Sequence, residues 1–438
     1  MLNNTDLSMV IIVVGFLIVF LSCNTYAFSN KAETLGFASL ENDSIIYTPR
    51  NIFKKRISLM NNSDDIFNRQ AEENFRQDEE VFTYTRATSN RNRYLRTAID
   101  TAVVLGLTSL YYWGTQTFSS DFDYDVSFET LRKKFSGEAI RFDDNTFNTN
   151  SVPGHSLAGA AYYLMARNNN LSRLESFLWT FATSTIYEFF VELPEVASIN
   201  DLVTTPLAGA TIGEASYEFG RYFRCSKNKN TLPNKVLAAI IDPIALVNSL
   251  VWHDVPYNLS DAECHYNTIQ NEFNIFAGMS GVYHENIDRF NPGFLLGFYG
   301  KLYLIPRYGK ASDLTEFITN TVLTEMALKA VVTDTIVDSF RFFAKTVWAA
   351  YHRQKIARDP EGDATGYSVF VGLASAFEQT QYRTGEFDDW IGAVHVLGPA
   401  MELTFFHKDG YSRLGLDTYG DLLWSGLLRL INTKKIIH

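Results

Sequence analysis

The chain has 438 residues, with 38 Lys and Arg against 49 Asp and Glu, a formal net charge of -11. That balance argues against a nucleic-acid protein, which needs clustered cations that displace counterions. A hydrophobic share of 46% with 20% charged residues excludes a disordered or collagen-like chain. The aromatic share of 14% is of the kind found in membrane-interface girdles and strand-rich surfaces.

Met9 to Leu21 is an unbroken apolar run of thirteen residues. A signal core of about 7–15 apolar residues fits it, whereas a spanning helix needs about 17–25. The expectation is a signal peptide over 1–27, cut after Ala27 behind Thr25 and Tyr26. Met1 to Ser8 lacks the usual Lys or Arg, so a retained N-terminal anchor is the alternative; Leu21-Ser22-Cys23 offers lipidation at Cys23 as another. Residues 28–96 are polar and read as a linker. Cys225 and Cys264 remain, able to close one loop in an oxidising compartment or to stand as unrelated thiols. No Cys or His spacing resembles a zinc site.

A helical domain is expected over 97–252. Ala98 to Trp113 is apolar nearly all round and predicts a buried helix. Asp143 to Asn150 is a turn-rich connection. Helical patterns follow over His155 to Arg167, Leu171 to Leu193 and Asp201 to Tyr222, with Ser172-x-x-Glu175 a capping box and Ser198-x-x-Asp201 a weaker one. Lys235 to Val251 should kink at Pro243.

From about 268 to 438 the period changes to two, the mark of strands. Phe294, Leu296, Phe298, Gly300, Leu302 and Leu304 alternate with Tyr299, Lys301 and Tyr303; similar runs cover Phe273 to Met279, Tyr367 to Leu373 and Ile391 to Phe405. Asp409-Gly410 turns the last of these into Tyr411 to Tyr419. Their lengths suit a tilted strand crossing a bilayer, about 9–11 residues. Thr333 to Arg358 interrupts, because Ile336, Phe340, Phe343, Val347 and Tyr351 follow helical spacing. The fold class expected is thus α+β and membrane-associated, a helical cluster followed by an antiparallel outer-membrane-type β-barrel. A soluble β-sandwich with a helical domain is the alternative.

The polar residues between 145 and 218 are the most informative. His155, Gly159 and Tyr163 make one helical stripe, Ser184, Glu188 and Glu192 another, and Thr205, Gly209 and Gly213 a small-residue face that lets two backbones approach. Glu188, Glu192 and Glu214 are costly on apolar helices unless partnered. One reading is an acid–base or metal site with His155 supplying nitrogen, these carboxylates oxygen, and Asp201 nearby. The bland reading has Arg167, Arg173, Tyr162 and Tyr187 satisfying them in a structural network. Pro153-Gly154-His155 invites comparison with membrane lipid phosphatases, but Trp179 and Thr183 stand where their second His and the Asp belong, so the covalent step is missing. No Gly-x-Ser-x-Gly, phosphate loop or dinucleotide fingerprint occurs. His253, His265, His284, His352, His395 and His407 read as scattered surface or core residues.

Taken together, Asp144-Asn145, Asn150, His155, Gly159, Tyr162-Tyr163, Arg167, Ser176, Ser184, Glu188, Glu192, Ser198, Asp201, Thr205-Pro206 and Gly209-x-x-x-Gly213-Glu214 resemble a domain-of-unknown-function family of Gram-negative envelope proteins. The likeness covers about 145–225; His395 to Pro399 and Tyr419-Gly420-Asp421 resemble its carboxyl-terminal strands. The family has Pro after the His and Trp before the Glu, where this chain has Ser156 and Tyr187. The resemblance implies an exported, outer-membrane protein without an established activity.

The function expected is a structural, binding or passage role in the bacterial envelope, with membrane lipid as partner, other envelope components unspecified, and no nucleic acid. The rival is an enzyme acting on a lipid or envelope polymer, with His155 as general base and Glu188 or Glu192 as its partner. No cofactor is expected, with a divalent metal held open.

Overall fold

The structure is a computed structural model that describes residues 93–116, 126–141, 151–226, 229–252, 269–284, 289–305, 307–333, 336–359, 363–384, 387–408 and 410–423. The signal peptide, Cys23, nearly all of the polar linker, the Asp143 to Asn150 connection and Cys264 lie outside them.

Helices come first: α1 (Arg93–Gln116), α2 (Phe128–Ser136), α3 (Ser151–Asn168), α4 (Arg173–Ile186), α5 (Ile199–Cys225), α6 (Leu232–Ile241) and α7 (Pro243–Trp252). α4 starts where the capping box places it. Ser172 Oγ accepts from the Glu175 amide, and the Glu175 carboxylate accepts from the Ser172 amide at 2.6 Å. α6 and α7 meet at a bend of 100° before Pro243. Asp242 holds that corner, accepting from Arg224 Nη1 at 3.0 Å, Asn168 Nδ2 at 2.9 Å and the Ala245 amide at 3.1 Å.

The small-residue faces bring α3 and α5 into backbone contact. A Cβ on Gly159 would lie 2.0 Å from the Thr205 carbonyl oxygen, and one on Gly209 would lie 2.4 Å from the Gly159 carbonyl carbon. Gly213 accommodates the Tyr163 ring in the same way.

α1 departs from the buried helix expected. Its inward face is polar: Thr97 and Thr101 are buried, Thr101 accepts from Trp179 Nε1 at 2.9 Å, and Asp100 accepts from Asn169 at 2.7 Å and Trp252 at 3.1 Å. Its outward face is Leu95, Ile99, Val103, Leu107 and Leu110, the last 74% exposed. The all-round apolar composition hid this inversion, because a few polar side chains suffice for the inward contacts.

Strands follow: β3 (Gln270–His284), β4 (Arg289–Tyr303), β5 (Ser312–Ile318), β6 (Leu323–Thr333), β7 (Ile336–Arg358), β8 (Ala364–Thr384), β9 (Phe387–His407), β10 (Gly410–Asp417) and β11 (Gly420–Leu423). A separate short parallel pair, β1 (Ile140–Arg141) with β2 (Ala197–Ser198), joins the start of the helical region to α5. The main sheet is antiparallel, in the order β10-β9-β8-β7-β6-β4-β3, with β5 added to β7 and β11 to β9. It curls through 227° as a half-barrel of seven strands. A single curled sheet, not two stacked ones, replaces the sandwich alternative.

The helix expected over Thr333 to Arg358 is instead the 23-residue strand β7. A β-bulge shifts its register between Val347 and Ala349, so the side-chain alternation reverses parity midway. Phe340 lies on the face opposite Phe343 and Val347, and the bulge carries Tyr351 to the face of Phe340, so apolar positions on both faces imitate a helical spacing.

The two faces of the half-barrel differ. Lys301 on β4 donates to Glu402 on β9 at 2.5 Å, although β6, β7 and β8 lie between those strands. Arg413 on β10 and Glu272 on β3, the two ends of the strand order, meet at 2.7 Å. Such contacts are possible only across a concave interior, so Glu272, Lys301, Tyr303, Glu402 and Arg413 point inward. α5 packs on the convex face instead: Ala208, Ile212 and Ala215 contact Ala344, Phe377 and Val394, and Phe219 sits over Gly300 and Leu302.

Candidate functional site

The end of α4 changes from α to π geometry over Tyr187–Val191. The wider turn is a common feature of functional sites and inserts one residue, so Glu188 swings inward. Glu188 is buried, and its Oε1 accepts from the Ser198 amide at 2.6 Å, just where Ser198 caps α5. It also hydrogen-bonds the Glu192 side chain. Asp201, in the first turn of α5, faces His155 of α3 with Nε2 to Oδ1 at 3.7 Å. Four of the expected residues, His155, Glu188, Glu192 and Asp201, therefore share one electrostatic neighbourhood.

Burial and then the Asp201 charge push the Glu188 carboxyl up to about 7, against a smaller opposing pull from the Ser198 amide and His155. Glu192 is raised well above its usual value, by burial and by Glu188, Glu195 and Asp201. Carboxyls this close cannot all ionise, and a proton between Glu188 and Glu192 relieves the repulsion. The neighbouring Tyr162 is held protonated by burial and by Glu192.

A cation missed by the sequence reading underlies the turn. Lys134 of α2 is fully buried, with Nζ donating to the backbone oxygens of Glu192 at 2.6 Å and Glu195 at 2.8 Å. Burial lowers its pKa, partly offset by Glu188, Glu192 and Glu195. Glu195 accepts from Tyr112 at 2.5 Å and lies 3.7 Å from Arg141. Only the lysine's place on an amphipathic helix, Phe128 to Ser136, could have signalled it.

Glu214 belongs to a different network. Fully buried, it accepts from Arg167 Nε at 2.8 Å and Nη2 at 3.2 Å, from Tyr163 at 2.9 Å and from Thr321 at 2.7 Å. Burial works to raise its pKa, but Arg167, Thr321 and Arg173 together hold the carboxyl below its usual value. Arg173 reaches on to the Trp348 carbonyl at 2.7 Å and to Thr319. This is the structural pairing with Arg167, and it ties the helices to the rim of the sheet.

At 3.7 Å the His155 nitrogen stands beyond the roughly 2.6–3.2 Å that direct proton transfer to Asp201 requires. Asp201, Glu188 and Glu214 are all sealed from solvent. Among the described residues no group of three or more His, Cys, Asp or Glu side chains is arranged to hold a metal ion. Cys225 is buried and disulfide-bonded.

The concave interior carries a second polar set, of which the sequence pattern singles out only Lys301, opposite an apolar face. Lys301 lies 3.2 Å from Glu325 and 2.5 Å from Glu402; Lys345 lies 3.6 Å from Glu325 and 2.5 Å from Asp417. Arg413 adds 3.1 Å to Glu402, and Tyr411 donates to Glu272 at 3.0 Å. Like the cluster beside α4, these ions are partnered on every side.

Residues 139–244 match the family model of a domain of unknown function (DUF3943). The matched stretch spans β1 through the start of α7, and so holds the π-turn, the carboxylates and the α3–α5 contact. No curated protein and no solved structure matches the chain.

Proposed function

We propose that the protein is a barrel-like component of a bacterial envelope, set in the outer membrane through its strands, with a structural or binding role. One observation carries this reading: the convex face of the half-barrel presents an exposed apolar surface, while the concave interior holds buried ion pairs. On adjacent strands β3, β4 and β6 the outward residues form three apolar rungs, Ile275–Phe298–Leu328, Ala277–Leu296–Ala330 and Met279–Phe294–Val332. They are open to the surroundings, Ile275 at 68% and Met279 at 84%. In water such a patch costs about 25 cal/mol per Å² of apolar area; in hydrocarbon it costs nothing.

Strands of 15 to 23 residues exceed the length a crossing needs, about 9–11 residues. α1 presents an exposed apolar stripe of its own, Leu95, Val103, Leu107 and Leu110. No single described helix is long and apolar enough to cross a membrane; the bent pair α6 and α7 passes by length and composition together. Ion pairs spanning the interior argue against free passage and favour a sealed body. Membrane lipid is the partner this surface fits.

Cell fractionation followed by gel electrophoresis with and without boiling tests the reading. The expected result is recovery with the outer membrane and faster migration of the unboiled protein. Recovery in the soluble fraction would overturn it.

A further inference from the structure

Inside the half-barrel, away from the helical carboxylates, three strands contribute an aligned set of side chains. Ser368 of β8 and His352 of β7 are buried, with the Ser368 hydroxyl 3.0 Å from His352 Nε2. On the other side of the ring, Nδ1 lies 3.1 Å from Glu316 Oε1 of β5. The ladders explain the meeting: Glu316 stands directly opposite His352, and Ser368 stands opposite Gln354, two residues along β7 on the same face. A carboxylate oxygen can only accept, so Nδ1 carries the ring proton. In the neutral ring Nε2 is then an acceptor, and the serine hydroxyl donates to it.

That is the polarity of a serine nucleophile, its base and the acid that orients the base. We propose that Ser368 is the nucleophile of an ester-cleaving site, His352 its general base and Glu316 a positioning residue. The inference goes beyond the envelope role and does not depend on it. The surroundings set the substrate class. Phe370, Ala350, Tyr303 and Tyr308 form the adjoining apolar cluster, which suits carboxylic esters with an apolar acyl part. Thr404 faces Ser368 across the β8–β9 ladder, and its hydroxyl lies 2.8 Å from the Tyr308 phenol, which places hydroxyl donors beside the nucleophile.

In the reaction the Ser368 Oγ–H proton passes to Nε2 as Oγ bonds to the ester carbon. The same proton goes to the leaving alcohol as its C–O bond breaks. Water then attacks the acyl-serine, gives one proton to Nε2, and the carboxylic acid leaves as that proton returns to Oγ. The Arg307–Lys310 turn borders the site, its Tyr308 ring 6.2 Å from His352. Gln354 fastens the turn, donating to the carbonyls of Arg307 at 3.0 Å and Lys310 at 2.9 Å and accepting from the Gly309 amide at 3.0 Å.

The test treats the full chain, purified in detergent, with an alkyl fluorophosphonate and maps the adduct by mass spectrometry. Ser368 should be modified in the wild type and several-fold faster in Gln354→Ala, which loosens the turn. His352→Ala should slow modification about a hundredfold or more, the scale of lost general-base assistance. Glu316→Gln should change the pH profile of labelling, which a purely structural contact would leave in place. An unmodified Ser368 in the wild type after prolonged incubation, or modification confined to other serines, overturns the proposal. Should Gln354→Ala fail to fold, the wild-type adduct map decides alone.

Discussion

Replacing Gly209 by Ala adds a single methyl group at the point where α3 and α5 touch. That carbon would lie 2.4 Å from the Gly159 carbonyl carbon and 2.6 Å from its Cα, against ordinary contact at 3.4–4 Å. Both neighbours are backbone, so no rotamer change relieves the clash and the helices must part by about 1 Å. A gap of about that size forfeits a quarter to a half of each dispersion contact along the interface. Overpacking of this kind costs about 1–3 kcal/mol, while exchanging Gly for Ala within a helix returns about 1 kcal/mol. The net expectation is a loss of about 0–2 kcal/mol, centred near 1, read as a lower urea midpoint by tryptophan fluorescence in detergent. Gly106→Ala in α1 is the control, because nothing lies within 4 Å of its added carbon. It should gain about 0.5–1 kcal/mol. A Gly209→Ala protein stabilised as much as Gly106→Ala would refute the close-approach argument.

Further expectations follow from other sites. Glu188 has a folded pKa of about 7 against 4.5 in the unfolded chain, so its contribution is fully present below pH 4.5 and disappears as pH rises through about 7. The span corresponds to about 3 kcal/mol, and Glu188→Gln should flatten the denaturation midpoint between pH 5 and 8. Glu214→Ala leaves Arg167 buried without its carboxylate and should cost about 3–5 kcal/mol in chemical denaturation; an effect under 1 kcal/mol would contradict the network described. Ser172→Ala removes the α4 cap and should cost about 1 kcal/mol by the same measurement. Met279→Arg distinguishes solvents for the convex face: about 2–4 kcal/mol is lost if hydrocarbon surrounds it, and no more than about 0.5 kcal/mol if water does.

Local signals carried much of this architecture into the sequence. The Ser172 box, the break at Pro243 and the paired stripes on α3 and α5 were legible because each depends on neighbours within a turn or two. The long strands were legible where alternation stayed in phase, as in β4, and illegible in β7, which carries apolar side chains on both faces and a bulge after Val347. At the carboxylate cluster, spacing placed Glu188 and Glu192 on one stripe but could not show that the π-turn draws Glu188 against Ser198. Glu214 lies on the same helix as Asp201, and only tertiary contact with Arg167 and Thr321 separates their roles. The alignment of Ser368, His352 and Glu316 had no linear signature at all, since it arises from the registers of three strands.

The ends of the half-barrel meet through side chains of residues far apart along the chain, Glu272 with Tyr411 and Arg413, at separations of 139 and 141 positions. Every other pairing in the main strand order joins sequence neighbours or strands one element apart. Loop-closure entropy grows with the length enclosed, so this juncture is the most expensive to form and gains nothing until the hairpins between exist. Folding should accordingly zip hairpin by hairpin and finish at that juncture. A truncation before Tyr411 should leave the early hairpins able to form while the cylinder never draws its margins together.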